Sequence, residues 1–288
     1  MSAKNKTFQS TPSAIARRIT FSTAHLYDQK AFTPEENARV FGACYSKHGH
    51  GHDYVLEVFV EGPIDDATGL VVNVTDLDIA MKKVVAPFDF KHVNFDVPDF
   101  KNVVPTTENL TAYFHTKIEA ELKALNAAMK LELRLNRIRL FETEDLWTEI
   151  RSGAPRAGNP HFEITRQVVI RAMHHLENPF WSDEENKRVF GICYGVHGHD
   201  YRVRVTCTSE LDEKSGLAVD RDELDEILHR EVVTPFDGVD LNERMVNTSC
   251  EAFAHELFKR LEPHLTTRLV RVGIQETRKN YFEFPPTS

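Results

Sequence analysis

The chain has 288 residues, 41% of them apolar and 27% charged, with a formal net charge of -9. That length accommodates two domains with separate cores, and the composition belongs to soluble globular proteins, not to disordered or membrane-embedded ones. The acidic balance argues against nucleic acid as a partner, although a local basic pocket can still receive a small anion. No apolar run approaches the roughly 18 residues that cross a bilayer. Four cysteines (Cys44, Cys193, Cys207, Cys250) are too few and too scattered for a disulfide framework and point to a cytoplasmic setting.

Met1 to Ser13 is polar and reads as a short tail without a signal-peptide core. From there the chain says the same thing twice. His25 precedes Glu-Glu-Asn (35–37), Arg-Val-Phe-Gly-Ala-Cys-Tyr (39–45) and His-Gly-His-Asp-Tyr (50–54). His174 stands in the same relation to Glu-Glu-Asn (184–186), Arg-Val-Phe-Gly-Ile-Cys-Tyr (188–194) and His-Gly-His-Asp-Tyr (197–201). The repeat continues: Gly69 to Asn73 matches Gly216 to Asp220, with Asn73 and Asp220 placed to cap a helix. Pro-Phe-Asp recurs at 87–89 and 235–237, Thr106-Thr107 matches Thr248-Ser249, and Glu142-Thr143 matches Glu276-Thr277.

Within each copy the coarse order reads strand, strand, helix, helix, strand, strand. Tyr201, Val203, Val205 and Cys207 alternate with polar residues, the period of a strand with one wet face. Residues 106–124 and 248–265 carry apolar side chains at helical spacing, among them Leu110, Phe114 and Ile118. Antiparallel hairpins with helices on one face make an α+β domain. The expected domains span 14–151 and 161–285, joined by the Gly/Pro-rich stretch from Ser152 to Pro160.

The repeated histidines carry the chemistry. His50 and His52, like His197 and His199, are one residue apart at the start of a strand, so their side chains share a face. A neighbouring strand can bring His25 or His174 to the same point. Three imidazoles suit Zn2+ and leave a fourth position for water or substrate. The bland alternative, surface histidines in a Gly-rich turn, loses ground because the whole set recurs. In the first copy, His48-Gly49-His50-Gly51-His52 offers two overlapping pairs, and the following Asp53-Tyr54 favours His50 and His52. Cys44 and Cys193 lie six and four residues before the first histidine of each pair. Each reads as a fourth zinc ligand, as a proton-transfer group with its pKa lowered by the cation, or as an inert buried thiol.

Taken together, Phe-Ser-Thr-Ala-His25, the cysteine box, His-Gly-His-Asp-Tyr, Thr-Thr-Glu-Asn (106–109) and the late Glu-Thr resemble the 6-pyruvoyl-tetrahydropterin synthase / 6-carboxy-tetrahydropterin synthase family, over nearly the whole chain. The cysteine-to-histidine spacing of the first copy resembles the eukaryotic pyruvoyl enzymes, and that of the second the bacterial queuosine-pathway enzyme. The resemblance implies two tandem tunnelling-fold (T-fold) domains whose antiparallel sheets close into an oligomeric barrel, with a trimer of this chain equivalent to a hexamer. It implies a lyase of tetrahydrobiopterin or queuosine biosynthesis that acts on 7,8-dihydroneopterin triphosphate, with zinc on the side-chain hydroxyls and cysteine as general base. Thr106, Thr107, Glu108 and Glu142, with Thr248 and Glu276 in the second copy, would surround the substrate, the two late glutamates anchoring the pterin.

The match fails at two points. The resemblance implies an Asp-His pair that activates the cysteine, but Asp89 and Asp237 are followed by Phe90 and Gly238. His92, three residues after Asp89, either replaces the missing imidazole or is a loop histidine, and Asp240 holds its place in the second copy. By the same alignment Cys250 stands where the first copy has Glu108. Both copies are expected to bind zinc and pterin, the first being the better equipped for catalysis. Two other classes compete: a pterin-binding protein without turnover, and a structural zinc protein with closed Cys-His₃ sites.

Overall fold

A computed structural model describes residues 12–153 and 162–286, so most of the expected tail and most of the expected linker lie outside the described residues, while Pro12 and Ser13 already belong to the first strand. The chain divides into two compact units. Unit 1 is formed by the chain up to Phe162 together with Glu210–Ala218, and unit 2 by Glu163–Ser209 with the chain from Val219.

Unit 1 contains, in chain order, β1 (Pro12–His25), α1 (Pro34–Phe41), β2 (His50–Pro63), α2 (Val74–Val85), β3 (Lys91–His92), the single turn α3 (Val93–Asp96), α4 (Thr107–Met129), β4 (Arg134–Thr143) and β5 (Leu146–Arg151). Its strands lie in the order β5-β4-β2-β1-β3. All pairs are antiparallel except β1 with β3. Unit 2 repeats the plan with β6 (Phe162–His174), α5 (Asp183–Phe190), β7 (His197–Ser209), α6 (Arg221–Leu228), α7 (Thr234–Phe236), β8 (Val239–Asp240), α8 (Cys250–Leu261), β9 (Arg268–Thr277) and β10 (Asn280–Phe284). Its order is β10-β9-β7-β6, with β8 parallel to β6. The fold is α+β, as the sequence predicts. Among the described residues no helix is long and apolar enough to cross a membrane.

The periodicities map directly onto burial. Tyr54, Leu56, Val58 and Val60 of β2, and Tyr201, Val203, Val205 and Cys207 of β7, all face inward and are fully buried. Helix α4 lays Leu110, Phe114, Ile118 and Leu122 against α2, β4 and β5. Asn73 and Asp220 cap α2 and α6 through their side chains. The coarse order misses the short strands β3 and β8, the single turns α3 and α7, and in each unit one capped helix, α1 and α5. Their signal was present: Thr33 accepts from Glu36 N while Glu36 reaches back to Thr33 N, with Pro34 at the first helical position. Ser182 caps α5 through Glu185 N in the same way.

On unit 1 a carboxylate is buried among guanidinium groups. Glu149 is 1% exposed and lies 2.6 Å from Arg139, 3.0 Å from Arg151 and 3.8 Å from Arg137. Burial alone would push its carboxyl up, but the three arginines outweigh that and hold it below the ordinary carboxylate value. A lowered folded-state pKa means the unfolded chain binds the proton more readily. The stabilisation is therefore present above the unfolded value, about 4.3, and lost as pH falls through the folded one. Wild-type protein is expected to lose stability steeply on acidification through this window. Glu149→Gln should flatten that acid limb in urea denaturation series, and an unchanged slope would contradict the assignment.

Candidate functional site

In unit 1 the antiparallel register sets His25 at the end of β1 opposite His50 at the start of β2, and Thr23 opposite His52. His50 and His52 share a face because strand side chains alternate. The result is a cluster in which one ligand atom each from His25, His50, His52 and Glu142 lies within 4.8 Å of the others. His25 Nε2 and His50 Nε2 are 3.0 Å apart. Nδ1 of His25 faces Pro105 O at 3.3 Å and the Tyr54 hydroxyl at 3.1 Å. A proton on Nδ1, donated to that carbonyl, leaves Nε2 as a lone pair aimed at the cluster centre, the tautomer a metal requires. His52 Nε2 is buried without a hydrogen bond. Its nearest carboxylate oxygen, Glu142 Oε1, is 3.5 Å away. Converging imidazole nitrogens with an unsatisfied member fit a zinc-type cation.

Unit 2 repeats the arrangement with His174, His197 and His199. His174 Nε2 and His197 Nε2 are 3.1 Å apart, and His174 Nδ1 faces Thr248 O at 3.1 Å. His199 Nε2 is again buried without a hydrogen bond. Glu276 Oε1 lies 3.6 Å from both His174 Nε2 and His199 Nε2. His48 belongs to neither cluster, so the structure gathers the pair His50 and His52.

The carboxylates are held differently in the two units. Glu142 accepts from the Tyr27 hydroxyl at 3.3 Å and from the Thr107 hydroxyl. Tyr27 OH in turn accepts from Thr107 N. In unit 2 a thiol takes the place of the Thr107 hydroxyl: Cys250 Sγ donates to Glu276 Oε1 at 3.4 Å. Asn280 donates to the other oxygen. This contact moves the alignment of the two halves by one residue. Thr106 and Ser249 are the helix caps, and Pro105 O and Thr248 O face the equivalent histidines. Thr107 therefore corresponds to Cys250, and Glu108 to Glu251. The shared Thr-Thr/Thr-Ser identity pulled the sequence alignment out of register, and only the cap positions reset it. Thr248 consequently stands where the first copy has Pro105, and its hydroxyl donates to His175 O.

Cys44 and Cys193 lie in 3₁₀ turns that follow α1 and α5. Both are partly exposed and free of disulfide. Their carbonyls accept from Tyr27 N and Leu176 N, each two residues past the strand-end histidine. Neither thiol joins a ligand cluster, so the closed Cys-His₃ arrangement is not assembled among the described residues. The aspartates hold loops. Asp89 accepts from Ser22 N at 3.0 Å. Asp237 accepts from Arg171 N and is clasped by the Arg171 side chain at 2.9 Å, whose hydrogen bond holds its carboxyl below the usual range. His92 lies alongside β1, level with Ala24. Its ring lies tilted against Phe95, centroids 4.3 Å apart, and burial pushes its pKa down. Gly49, at φ +68°, lets the chain pass there: a Cβ would meet His25 O at 2.5 Å and His92 Nε2 at 3.2 Å. Tyr27 and Tyr54 were not singled out from the sequence. Tyr54 follows His52 by two residues on one strand face, which was a usable signal.

A duplicated α+β domain with three converging histidines in each copy, joined by Glu142 in the first, defines a class of protein equipped to hold a metal ion. The 6-pyruvoyl tetrahydropterin synthase family model matches residues 14–153 and again 163–286, and the chain belongs to that family. The chain is 38% identical over 132 residues to 6-pyruvoyl tetrahydrobiopterin synthase of Homo sapiens, covering 46% of this chain and 86% of the relative. It is 30% identical over 118 residues to a protein of Archaeoglobus fulgidus named "Putative 6-carboxy-5,6,7,8-tetrahydropterin synthase", covering 38% of this chain and 89% of the relative. The solved structure of Caenorhabditis elegans 6-pyruvoyl tetrahydropterin synthase aligns at 27% identity and TM-score 0.45, over 50% of this chain and 97% of that one.

Proposed function

We propose that the chain is a cytoplasmic zinc-dependent lyase that acts on 7,8-dihydroneopterin triphosphate, of the 6-pyruvoyl- or 6-carboxy-tetrahydropterin synthase type. The observation that carries the reading is the duplicated histidine cluster, each with a buried or half-buried carboxylate at its edge. Bound zinc would act as a Lewis acid toward the substrate side chain. His25, His50 and His52 would hold it, and the outer ring nitrogen of His25 is set by Pro105 O and the Tyr54 hydroxyl. Glu142, steadied by Tyr27 and Thr107, can accept two parallel N–H bonds from the pterin 2-amino and ring nitrogen groups. Cys44 is the base that takes the side-chain proton, and His92 is the repeat-one group nearest in sequence to the missing imidazole. Asp240 in unit 2 offers no such ring, which favours the first copy as the catalyst. The triphosphate leaves by elimination. The chain assembles as a homo-oligomer, a trimer equivalent to a hexamer of single domains.

Incubating zinc-loaded protein with 7,8-dihydroneopterin triphosphate and weighing the products by mass spectrometry tests the reading. A 6-carboxy product with acetaldehyde indicates queuosine-type chemistry, and a 6-pyruvoyl product indicates tetrahydrobiopterin-type chemistry. Bound but unchanged pterin would leave a binding protein, the reading that Phe90 in place of histidine favours. Cys44→Ala is expected to lower turnover about 10²–10⁴-fold, the usual worth of a positioned base, with zinc content unchanged. Loss of zinc together with turnover would instead make the thiol a ligand.

A further inference from the structure

The two copies hold their late glutamates by different means. Tyr27 and Leu176 stand at the same place, two residues past His25 and His174. The backbone N–H of each donates to a cysteine carbonyl, Tyr27 to Cys44 O and Leu176 to Cys193 O. The main chain is therefore matched, and only Tyr27 adds a hydroxyl.

Tyr27 is 1% exposed. Its oxygen accepts from Thr107 N at 3.1 Å and donates to Glu142 Oε2 at 3.3 Å. The direction of the proton follows from the partners, because an amide N–H only donates and an ionised carboxylate only accepts. Thr107 adds its own hydroxyl to the same oxygen. The Tyr27 ring stands edge-on to His25 at 4.9 Å and to Phe41 at 5.7 Å. A packed ring thus carries the hydroxyl, and the plane of Glu142 is set before any ligand arrives. An ionised carboxylate offers about four acceptor positions, so two hydroxyls on Oε2 still leave room for two N–H donors.

Glu276 is held more loosely. Among the described residues no hydroxyl donates to it. The Cys250 thiol, a weak donor, reaches Oε1 at 3.4 Å, and exposed Asn280 reaches Oε2 at 3.2 Å. The Glu276 side chain is 15% exposed against 4% for Glu142. Half-buried Leu176 brings no donor at all.

We propose that Tyr27 is a positioning residue that makes the first site strict for a ring bearing a 2-amino group, and that the second site, with leucine there, is permissive. The inference rests on the pterin reading of Glu142 and Glu276 and deepens it. A fixed carboxylate meets the amino group and the adjacent ring N–H in one plane. The 2-oxo analogue of the same ring turns a carbonyl oxygen toward the carboxylate instead. A carboxylate that cannot swing away keeps that repulsion, and a site built around an N–H donor rejects the analogue lacking it. A loosely held carboxylate retreats from the carbonyl, and it loses ordering entropy when it grips the amino ring.

Calorimetric titration of the zinc-loaded full chain tests this. The probes are 7,8-dihydroneopterin, which lacks the leaving group, and the corresponding 2-oxo dihydrolumazine. Wild-type protein is expected to bind dihydroneopterin at one tight and one weaker site per chain, with the lumazine confined to the weaker one. Tyr27→Phe keeps the packed ring and removes only the hydroxyl. It should weaken the tight site about tenfold, in line with the loss of a hydrogen bond to a charged acceptor, and admit the lumazine to both. Circular dichroism and two equivalents of zinc per chain should persist. Lost packing alone would weaken both ligands together, so an unchanged ratio of their affinities in Tyr27→Phe overturns the proposal. A wild type that binds neither ring overturns the pterin reading and the proposal with it.

Discussion

Replacing His50 and His52 together by alanine is expected to lower bound zinc from two equivalents per chain to one. The two rings supply two of the three nitrogens of the unit 1 cluster, and His25 with Glu142 cannot make up a tetrahedral site alone. Lewis-acid stabilisation is worth several kcal/mol, so turnover at that site should fall about 10³-fold or more. The matched pair, His197→Ala with His199→Ala, should remove the other equivalent. If the first copy carries the chemistry, the second pair leaves most of the turnover in place. Metal analysis and steady-state rates on the two double variants distinguish the copies. Two equivalents of zinc remaining after loss of His50 and His52 would refute the ligand assignment. Equal loss of rate from both pairs would show that both sites turn over.

The largest expected effect on stability is at Phe114. This ring is 0% exposed at the centre of unit 1. It meets Phe88 at 4.9 Å, Phe21 at 5.5 Å and Tyr113 at 5.8 Å in edge-on geometry. Phe114→Ala removes the aromatic volume and leaves a cavity between α4 and the sheet. The cost is about 3–5 kcal/mol, because rigid neighbours relax only partly into such a space. Phe90, two residues past Phe88, is 83% exposed, and Phe90→Ala should change stability by less than about 0.5 kcal/mol. Chemical denaturation of both variants checks the contrast, and a Phe114→Ala loss below about 1 kcal/mol would mean that the core repacks.

Local pattern made much of this protein legible. The alternation from Tyr201 to Cys207 is a buried strand face, and Leu110, Phe114 and Ile118 are a buried helix stripe. Asn73 and Asp220 are helix caps. These features depend on neighbours within a few residues, where backbone geometry leaves little choice. Helices α1 and α5 were equally local and were overlooked, although the Thr33–Glu36 capping box announces the first of them.

The sequence by itself determined the duplication, the α+β class, and the histidines that recur in both copies. Tertiary structure decided which groups meet. The 14-residue register between β1 and β2 brings His25 to His50. Glu142 reaches His52 across 90 residues of chain, and no periodicity encodes that distance. The pairing of Thr107 with Cys250 emerged only from the helix caps, because two identical hydroxyl residues fit either register. That the Thr106 hydroxyl donates to Gly216 O, whereas among the described residues nothing lies within 4 Å of a Cβ position on Gly69, is likewise invisible in the matching sequences of the two turns. A turn's shape is set by its own hydrogen bonds, whereas its partner is set by whatever surface the rest of the fold carries to it.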